Sequence, residues 1–222
     1  MKKLFIVANW KSNKVTSEVN SWLQEISNIK YQISNNTNKE IIVCPSFTLL
    51  VSLKSLILNH KSNIKLGAQD ISPFDEGAYT GEVNGKQIKE FADYVLIGHS
   101  ERQKYLLENK EMLEKKVRMA YKYGLTPIYF LQSKTDLAPD NVSIAVYEPP
   151  NSISPGIPDT PENANSAAVF IKKKSNVKYV FYGGNVTSGN VSSFTTMSAI
   201  DGVLVGRASL DAKEFTKIIQ NA

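Results

Sequence analysis

Eight short apolar runs recur along the whole chain, and this repetition limits its possible folds more than any other feature. Each run has the length of a strand and mostly lacks alternation with polar residues, which is typical of parallel strands buried on both faces. The runs are LFIVA (4–8), IIVC (41–44), IKLGA (64–68), YVLIG (94–98), PIYFL (127–131), IAVY (144–147), YVFYG (179–183) and VLVG (203–206).

Helical patterns fill most of the gaps between the runs. Apolar residues recur at helical spacing in five segments: Thr16 to Ile29, Phe47 to Leu58, Asn109 to Tyr123, Pro161 to Ile171 and Ser209 to Ile219. Strands that alternate with helices in this way predict parallel βα units, closed into a (β/α)8 barrel or spread in an open sheet. We favour the barrel, as one α/β domain over residues 1–222, because eight units in a chain of this length suit a short barrel. No Gly-x-Gly-x-x-Gly follows the first run, which weighs against a dinucleotide-binding sheet.

The fifth unit departs from the pattern. Only the segment QSKTDLAPDNVS lies between PIYFL and IAVY. It has room for one helical turn at most, so we expect eight parallel strands with the fifth helix largely missing.

Composition and charge narrow the function classes. A single cysteine, Cys44, rules out an intrachain disulfide and suits a reducing cytosol. The apolar stretch after the N-terminus is too short for a signal peptide, and no stretch approaches a membrane span. The net charge is +5, and the one dense basic run, at 172–174, lies near a predicted helix C-terminus, where cations favour the helix dipole. We therefore expect a cytoplasmic protein with no membrane or nucleic-acid partner.

Polar residues come directly after the apolar runs. In a barrel of parallel strands these positions face one mouth, where active sites lie. Taken singly, each has an ordinary structural explanation, such as a solvated lysine or a tight turn, but their convergence on one rim indicates a site. The residues are Asn9 and Lys11 after the first run, Gln69 and Asp70 after the third, His99 and Glu101 after the fourth, Glu148 after the sixth, Gly183–Asn185 after the seventh, and Gly206 and Arg207 after the eighth.

These residue types suit proton transfer on a phosphorylated carbonyl compound. Glycine turns let backbone N–H groups approach an anion closely. A carboxylate, Glu148, suits a base that takes a proton next to a carbonyl, while His99 and Lys11 suit stabilisation of the enolate oxygen. No Cys/His/Asp cluster has the spacing of a metal site, and no cofactor motif is present.

Six motifs together resemble the triosephosphate isomerase family over nearly the full chain. They are ANWKSN (8–13), AQDISPFDEGAYTGE (68–82), IGHSER (97–102), YEPPNSISPG (147–156), YGGNVT (182–187) and DGVLVGRASL (201–210). The resemblance implies a TIM barrel that interconverts dihydroxyacetone phosphate and D-glyceraldehyde 3-phosphate through an enediolate, in glycolysis and gluconeogenesis, without a metal or other cofactor. A non-catalytic phosphate-binding barrel, or an isomerase of another small phosphorylated carbonyl compound, remains an alternative.

The resemblance also implies a role for each site residue. Glu148 would shuttle the proton and His99 would polarise the carbonyl. Lys11 would stabilise negative charge, and Asn9 would position it and the substrate. The other implied site residues are Ser100 and Glu101 as supporting groups, and Ser154, Asn185, Gly206 and Arg207 as phosphate ligands through their backbone N–H groups.

The same resemblance implies a homodimer, with a tetramer possible, and a mobile lid. The loop from Ile71 to Glu82 would dock beside residues 9–13 of a partner subunit, and the lid would span Pro149 to Gly156. The chain departs from the family pattern in four places. They are Tyr129–Gln132 at the end of the fifth run, in place of Cys-Ile-Gly-Glu, Ser154-Pro155 in the lid, Asn185 in place of a serine, and Arg207 in place of a glycine.

Overall fold

Eight parallel strands close into a barrel in the computed structural model, which describes residues 2–28, 38–152 and 157–222. Each strand pairs with the next in sequence, and β8 pairs with β1. The predicted (β/α)8 TIM barrel is therefore confirmed. The strands are β1 Leu4–Asn9, β2 Lys39–Cys44, β3 Lys65–Ala68, β4 Tyr94–Ile97, β5 Thr126–Leu131, β6 Ile144–Tyr147, β7 Tyr179–Gly183 and β8 Gly202–Val205.

Helices follow most strands and pack outside the barrel. Over the described residues they are α1 Thr16–Asn28, α2 Phe47–Asn59, α3 Gly85–Lys89, α4 Ser100–Tyr105, α5 Lys110–Lys122, α6 Pro161–Ser175, α7 Val191–Thr195 and α8 Ala212–Asn221, with 3-10 turns at Pro150–Ser152 and Arg207–Leu210. None of these helices is both long and apolar enough to span a bilayer.

Helix caps explain two of the boundaries. The Thr160 side chain accepts a hydrogen bond from the Asn163 backbone N–H at 3.2 Å, so α6 begins at Pro161 as predicted. The last helix begins later than predicted. Residues 207–210 form a 3-10 turn, and Asp211 then caps α8 by accepting a hydrogen bond from the Glu214 N–H at 2.8 Å.

The connection between β5 and β6 contains no helix, as predicted; all of its residues are described. Its first residues are instead held by one carboxylate, because Asp136 Oδ2 accepts hydrogen bonds from the backbone N–H groups of Gln132 and Ser133, both at 2.9 Å. A cavity of about 800 Å³ lies between this connection and α5. The missing helix therefore leaves open space beside β5.

Alternate residues of the strands build two apolar layers, as the two-residue period of a strand requires. The outer layer lies between strands and helices and includes both tryptophans. The inner layer fills the barrel, and Cys44 belongs to it with a fully buried thiol. Its members are Phe5, Val7, Ile42, Cys44, Leu96, Ile128, Phe130, Ile144, Val146, Phe181 and Leu204.

Candidate active site

His99 and Glu148 face each other at the carboxyl ends of β4 and β6. The distance between His99 Nε2 and Glu148 Oε2 is 3.6 Å, and both side chains are buried. The Glu148 backbone N–H donates to the Leu131 carbonyl at 2.9 Å, and the Ser100 hydroxyl donates to Glu148 Oε2 at 3.4 Å. Two residues predicted from separate motifs thus form one pair, with Ser100 beside it.

The imidazole of His99 is held as a neutral tautomer. Its Nδ1 accepts a hydrogen bond from the Glu101 backbone N–H at 3.1 Å, so the ring proton resides on Nε2. Burial, and secondarily the nearby Lys11 ammonium, lowers the pKa of His99 to about 4. Within the described part of the chain, Nε2 is buried and has no hydrogen-bond partner. This N–H is therefore available to a ligand oxygen.

The carboxyl of Glu148 is a stronger base than an exposed glutamate. Burial, with Glu101 as a second cause, raises its pKa from 4.5 to about 7, against the opposing effects of Lys11 and the Ser100 hydroxyl. A carboxylate with a pKa near neutral pH can accept a proton and return it at similar free-energy cost. Proton shuttling needs this property.

Lys11 is fixed in a left-handed backbone conformation, with φ of 52°. Asn9 Oδ1 accepts a hydrogen bond from the Lys11 N–H at 3.1 Å, and Gln69 Nε2 donates to the Lys11 carbonyl at 2.9 Å. The Lys11 ammonium pairs with Glu101 Oε1 at 2.6 Å. Such a conformation costs about 1–2 kcal/mol for a residue with a Cβ, and surrounding contacts must hold it. The backbone at Lys11 is therefore held in a conformation that fixes the direction of its side chain.

The two glycine turns lie beside these side chains. A small pocket is lined by Lys11, Glu148, Gly184, Asn185, Gly206 and Arg207, among others. A Cβ added at Gly184 would lie 2.5 Å from the Tyr182 hydroxyl oxygen, so only glycine fits there. Three predicted phosphate ligands thus share one pocket with the base. The fourth, Ser154, lies outside the described residues, as do all of residues 153–156 in the predicted lid from Pro149 to Gly156.

Tyr182 anchors both flanks of the lid segment. Its phenol oxygen accepts a hydrogen bond from the Asp159 backbone N–H at 2.8 Å and also bonds to the Ser152 side chain. The ring stacks on Phe194, with centroids 4.1 Å apart. The described flanks of the lid are therefore tied to the same strand that carries the β7 glycine turn.

A buried ion cluster lies under helix α4. Lys116 contacts Asp70 at 2.6 Å and Glu108 at 2.5 Å, and Arg102 contacts the same two carboxylates at 2.6 and 2.7 Å. Lys116 is only 2% exposed. Two cations and two carboxylates balance the charge in a site where an unpaired ion would be costly. The cluster ties α4, which carries Ser100 and Glu101, to α5 and to the end of β3.

Sequence reasoning missed three residues that shape the site. Gln69 was noted only by its place after the third run, and nothing in the sequence indicates that it bonds to the Lys11 carbonyl. Tyr182 directly precedes the glycine turn, which could have drawn attention to it. Phe130 reads as a core residue, yet its ring contacts His99 edge-on, with centroids 4.8 Å apart. Within the described residues, no group of three or more His, Cys, Asp or Glu side chains is placed to hold a metal ion.

Comparison with known proteins identifies the family to which the chain is similar. The sequence profile of the triosephosphate isomerase family matches residues 4–136 and 130–222. The two matches meet in the short connection after β5. The break between the two matches therefore falls where the helix is missing.

Relatives and a solved structure match over full length. Triosephosphate isomerase of Dictyoglomus thermophilum is 34% identical over 254 aligned positions, covering 100% of both proteins. The enzyme of the same name from Mesomycoplasma hyopneumoniae is 35% identical over 247 positions, also covering 100% of each. The crystal structure of triosephosphate isomerase from Bartonella henselae superposes with a TM-score of 0.81 and 25% identity, covering 98% of this chain and 99% of that one.

Proposed function

The chain belongs to the triosephosphate isomerase family, and from this premise we propose how its residues interconvert dihydroxyacetone phosphate and D-glyceraldehyde 3-phosphate. One observation carries the mechanism: a neutral imidazole whose free Nε2–H lies 3.6 Å from a buried carboxylate with a pKa near 7. Glu148 as proton acceptor and His99 as neutral hydrogen-bond donor would therefore both face the substrate carbonyl and the carbon next to it.

Glu148 is the proposed base. It removes a proton from the carbon next to the carbonyl, which leaves an enediolate. Its conjugate acid then delivers the proton to the neighbouring carbon. The hydroxyl proton also passes from one enediolate oxygen to the other, and together these transfers exchange aldehyde and ketone. Burial supports this role because the raised pKa brings the carboxyl close to the pH at which both transfers must occur.

His99 and Lys11 stabilise the enediolate in this proposal. The Nε2–H of His99 donates to the oxygen on which negative charge develops, and the ammonium of Lys11 adds a fixed positive charge. Asn9 holds the backbone of Lys11 and offers its amide to the substrate. Ser100 and Glu101 support the base and the lysine respectively.

The phosphate is placed at the two glycine turns. Backbone N–H groups of Asn185, Gly206 and Arg207, together with that of Ser154 from the lid, would donate to its oxygens. The shared pocket and the close packing of Gly184 support this placement. Lid closure over the phosphate would exclude water from the enediolate.

A coupled assay with glyceraldehyde 3-phosphate tests the function, and Glu148→Gln tests the mechanism. The amide keeps the shape of the side chain but cannot accept the proton, so we expect turnover to fall by several powers of ten while substrate still binds. A variant that keeps a tenth of wild-type turnover would refute the role of Glu148. No reaction of the wild-type chain at high concentration would leave a non-catalytic phosphate-binding barrel as the better description.

We also propose a homodimer formed through the loop at 71–82, in the cytosol. The loop is ordered but projects its apolar rings outward: Phe74 and Tyr79 are stacked 4.3 Å apart and are 41% and 45% exposed. Lys122 and Tyr123 both donate to Asp75 and hold the loop base. A stiff loop with uncovered aromatic rings supports docking into another subunit.

Sedimentation velocity tests the dimer. We expect a dimer at micromolar concentration, and a shift towards monomer in Tyr79→Glu because a charge would be buried at the interface. Phe170→Glu is the matched control, since Phe170 is similarly exposed at 38% but lies on the outer helix α6. A wild-type chain that sediments only as a monomer would refute the proposal.

A further inference from the structure

The imidazole of His99 is held by one hydrogen bond, although its orientation decides where its proton points. The bond from the Glu101 N–H fixes Nδ1, while Nε2 has no partner in the described chain. A ring tethered at one atom can still rock about that point. Another contact must set the plane of the ring.

Phe130 supplies that contact. Its ring lies 4.8 Å from the imidazole, centroid to centroid, and the two planes meet at 65°. This edge-to-face arrangement is a favoured geometry for two aromatic rings. Phe130 is 2% exposed and belongs to the inner layer of the barrel, so its own position is fixed by close packing.

The residue after Phe130 holds the other half of the catalytic pair. The Leu131 carbonyl accepts the hydrogen bond from the Glu148 backbone N–H at 2.9 Å. Two consecutive residues at the end of β5 therefore contact the catalytic pair. Phe130 contacts His99 through its side chain, and Leu131 contacts Glu148 through its backbone.

The end of β5 is anchored without a following helix. Asp136 caps the N–H groups of the two residues after the strand, and the cavity of about 800 Å³ beyond the strand reaches Phe130. Support for the strand end thus comes from one carboxylate cap and from the packing of Phe130 itself.

We propose that Phe130 is a positioning residue that sets the plane of His99 and, with the Leu131 carbonyl, fixes the separation of His99 and Glu148. The inference rests on the proposed function, because it concerns how the pair is aligned for proton transfer. Phe130 does not touch the substrate in this scheme. It acts by holding the imidazole in one orientation and by excluding water from it.

The test compares Phe130→Leu and Phe130→Met with the wild type. Leucine keeps an apolar side chain without a ring, and methionine fills similar space flexibly, so one folded variant is enough for the test. We expect kcat to fall about tenfold with little change in KM, because misalignment affects the transition state more than binding. Phe5→Leu is the matched control. Phe5 is 1% exposed in the same layer, at the opposite end of the barrel, and contacts other rings rather than His99.

A second readout does not depend on turnover. In the substrate-free protein, ¹⁵N spectra follow the titration of His99, on which Lys11, Glu101, Arg102 and Glu148 also act. These four groups are unchanged in the Phe130 variants. We therefore expect the midpoint to move upward in them, as the ring becomes hydrated, and to stay in place in Phe5→Leu.

Failure of this inference can be told apart from failure of the proposed function. A wild type without isomerase activity would contradict the function, whereas the ¹⁵N titration would still report on the contact. An unchanged kcat in the Phe130 variants would overturn the positioning role. So would a loss of activity matched by Phe5→Leu, or a loss with an unchanged His99 titration.

Discussion

Glu148→Gln should stabilise the fold at alkaline pH while it abolishes turnover. The wild-type carboxyl is buried with its pKa raised from 4.5 to about 7. Between these two values the folded state binds more protons than the unfolded state, so the free energy of unfolding falls as pH rises through this window. Glutamine has no charge to bury, so the variant avoids this loss.

The size of the effect follows from the shift in pKa. One pKa unit corresponds to about 1.4 kcal/mol, so the wild type loses about 3 kcal/mol by pH 8 and less than about 1 kcal/mol at pH 5. The lowered pKa of His99 also reduces stability in acid. At pH 5 the folded Glu148 is protonated and uncharged, as the glutamine is, so the contribution of His99 is similar in both proteins and nearly cancels. The difference between variant and wild type therefore isolates Glu148.

Urea unfolding at pH 5 and at pH 8 measures this difference. Protein concentration is held constant because an oligomer's apparent stability depends on it. We expect the stability gain of Glu148→Gln to grow by about 2–3 kcal/mol between the two pH values. The exposed Glu90 gives the control, since Glu90→Gln should change stability by less than about 0.5 kcal/mol at either pH. A gain that does not change with pH would refute the reasoning.

Three further predictions follow from the site. Plotted against pH, kcat/KM should decline below about 7 as Glu148 protonates; a flat profile from pH 5.5 to 8 would contradict its raised pKa. Lys116→Met should lower the free energy of unfolding by about 3–5 kcal/mol, because Asp70 and Glu108 are then balanced by Arg102 alone and one buried negative charge is left uncompensated. Lys115→Met breaks an exposed pair on the same helix and should cost less than about 1 kcal/mol in the same denaturation assay. Gly184→Ala should raise KM, because its Cβ would lie 2.5 Å from a phenol oxygen and force the phosphate turn to move; an unchanged KM would argue against the phosphate placement.

The barrel could be predicted from the sequence because buried parallel strands leave a strong local signal. Every apolar run proved to be a strand, since both faces of each strand are covered. Helices α3, α4 and α7 were not among the five helical segments predicted. Each has five or six residues, too few to display an apolar stripe at helical spacing.

The site could be predicted as a set of residues but not as a geometry. The order of strands around a barrel places Glu148 and His99 at one mouth, whichever turns follow them. The tautomer of His99 depends on one backbone N–H, and the conformation of Lys11 depends on the amide of Gln69, which directly follows β3. Such contacts join residues distant in sequence through exact turn shapes, and no local pattern encodes them.

The buried thiol of Cys44 makes this barrel a convenient background for attaching probes. It is the only cysteine in the chain, and its side chain has no exposed surface. Burial also raises its pKa, so the thiol is neither accessible to alkylating dyes nor ionised to the reactive thiolate. A cysteine introduced at Ile157, which is 82% exposed at the end of the lid, would be the one reactive position. A fluorophore there would test whether the proposed lid closes when substrate binds, in the otherwise native chain.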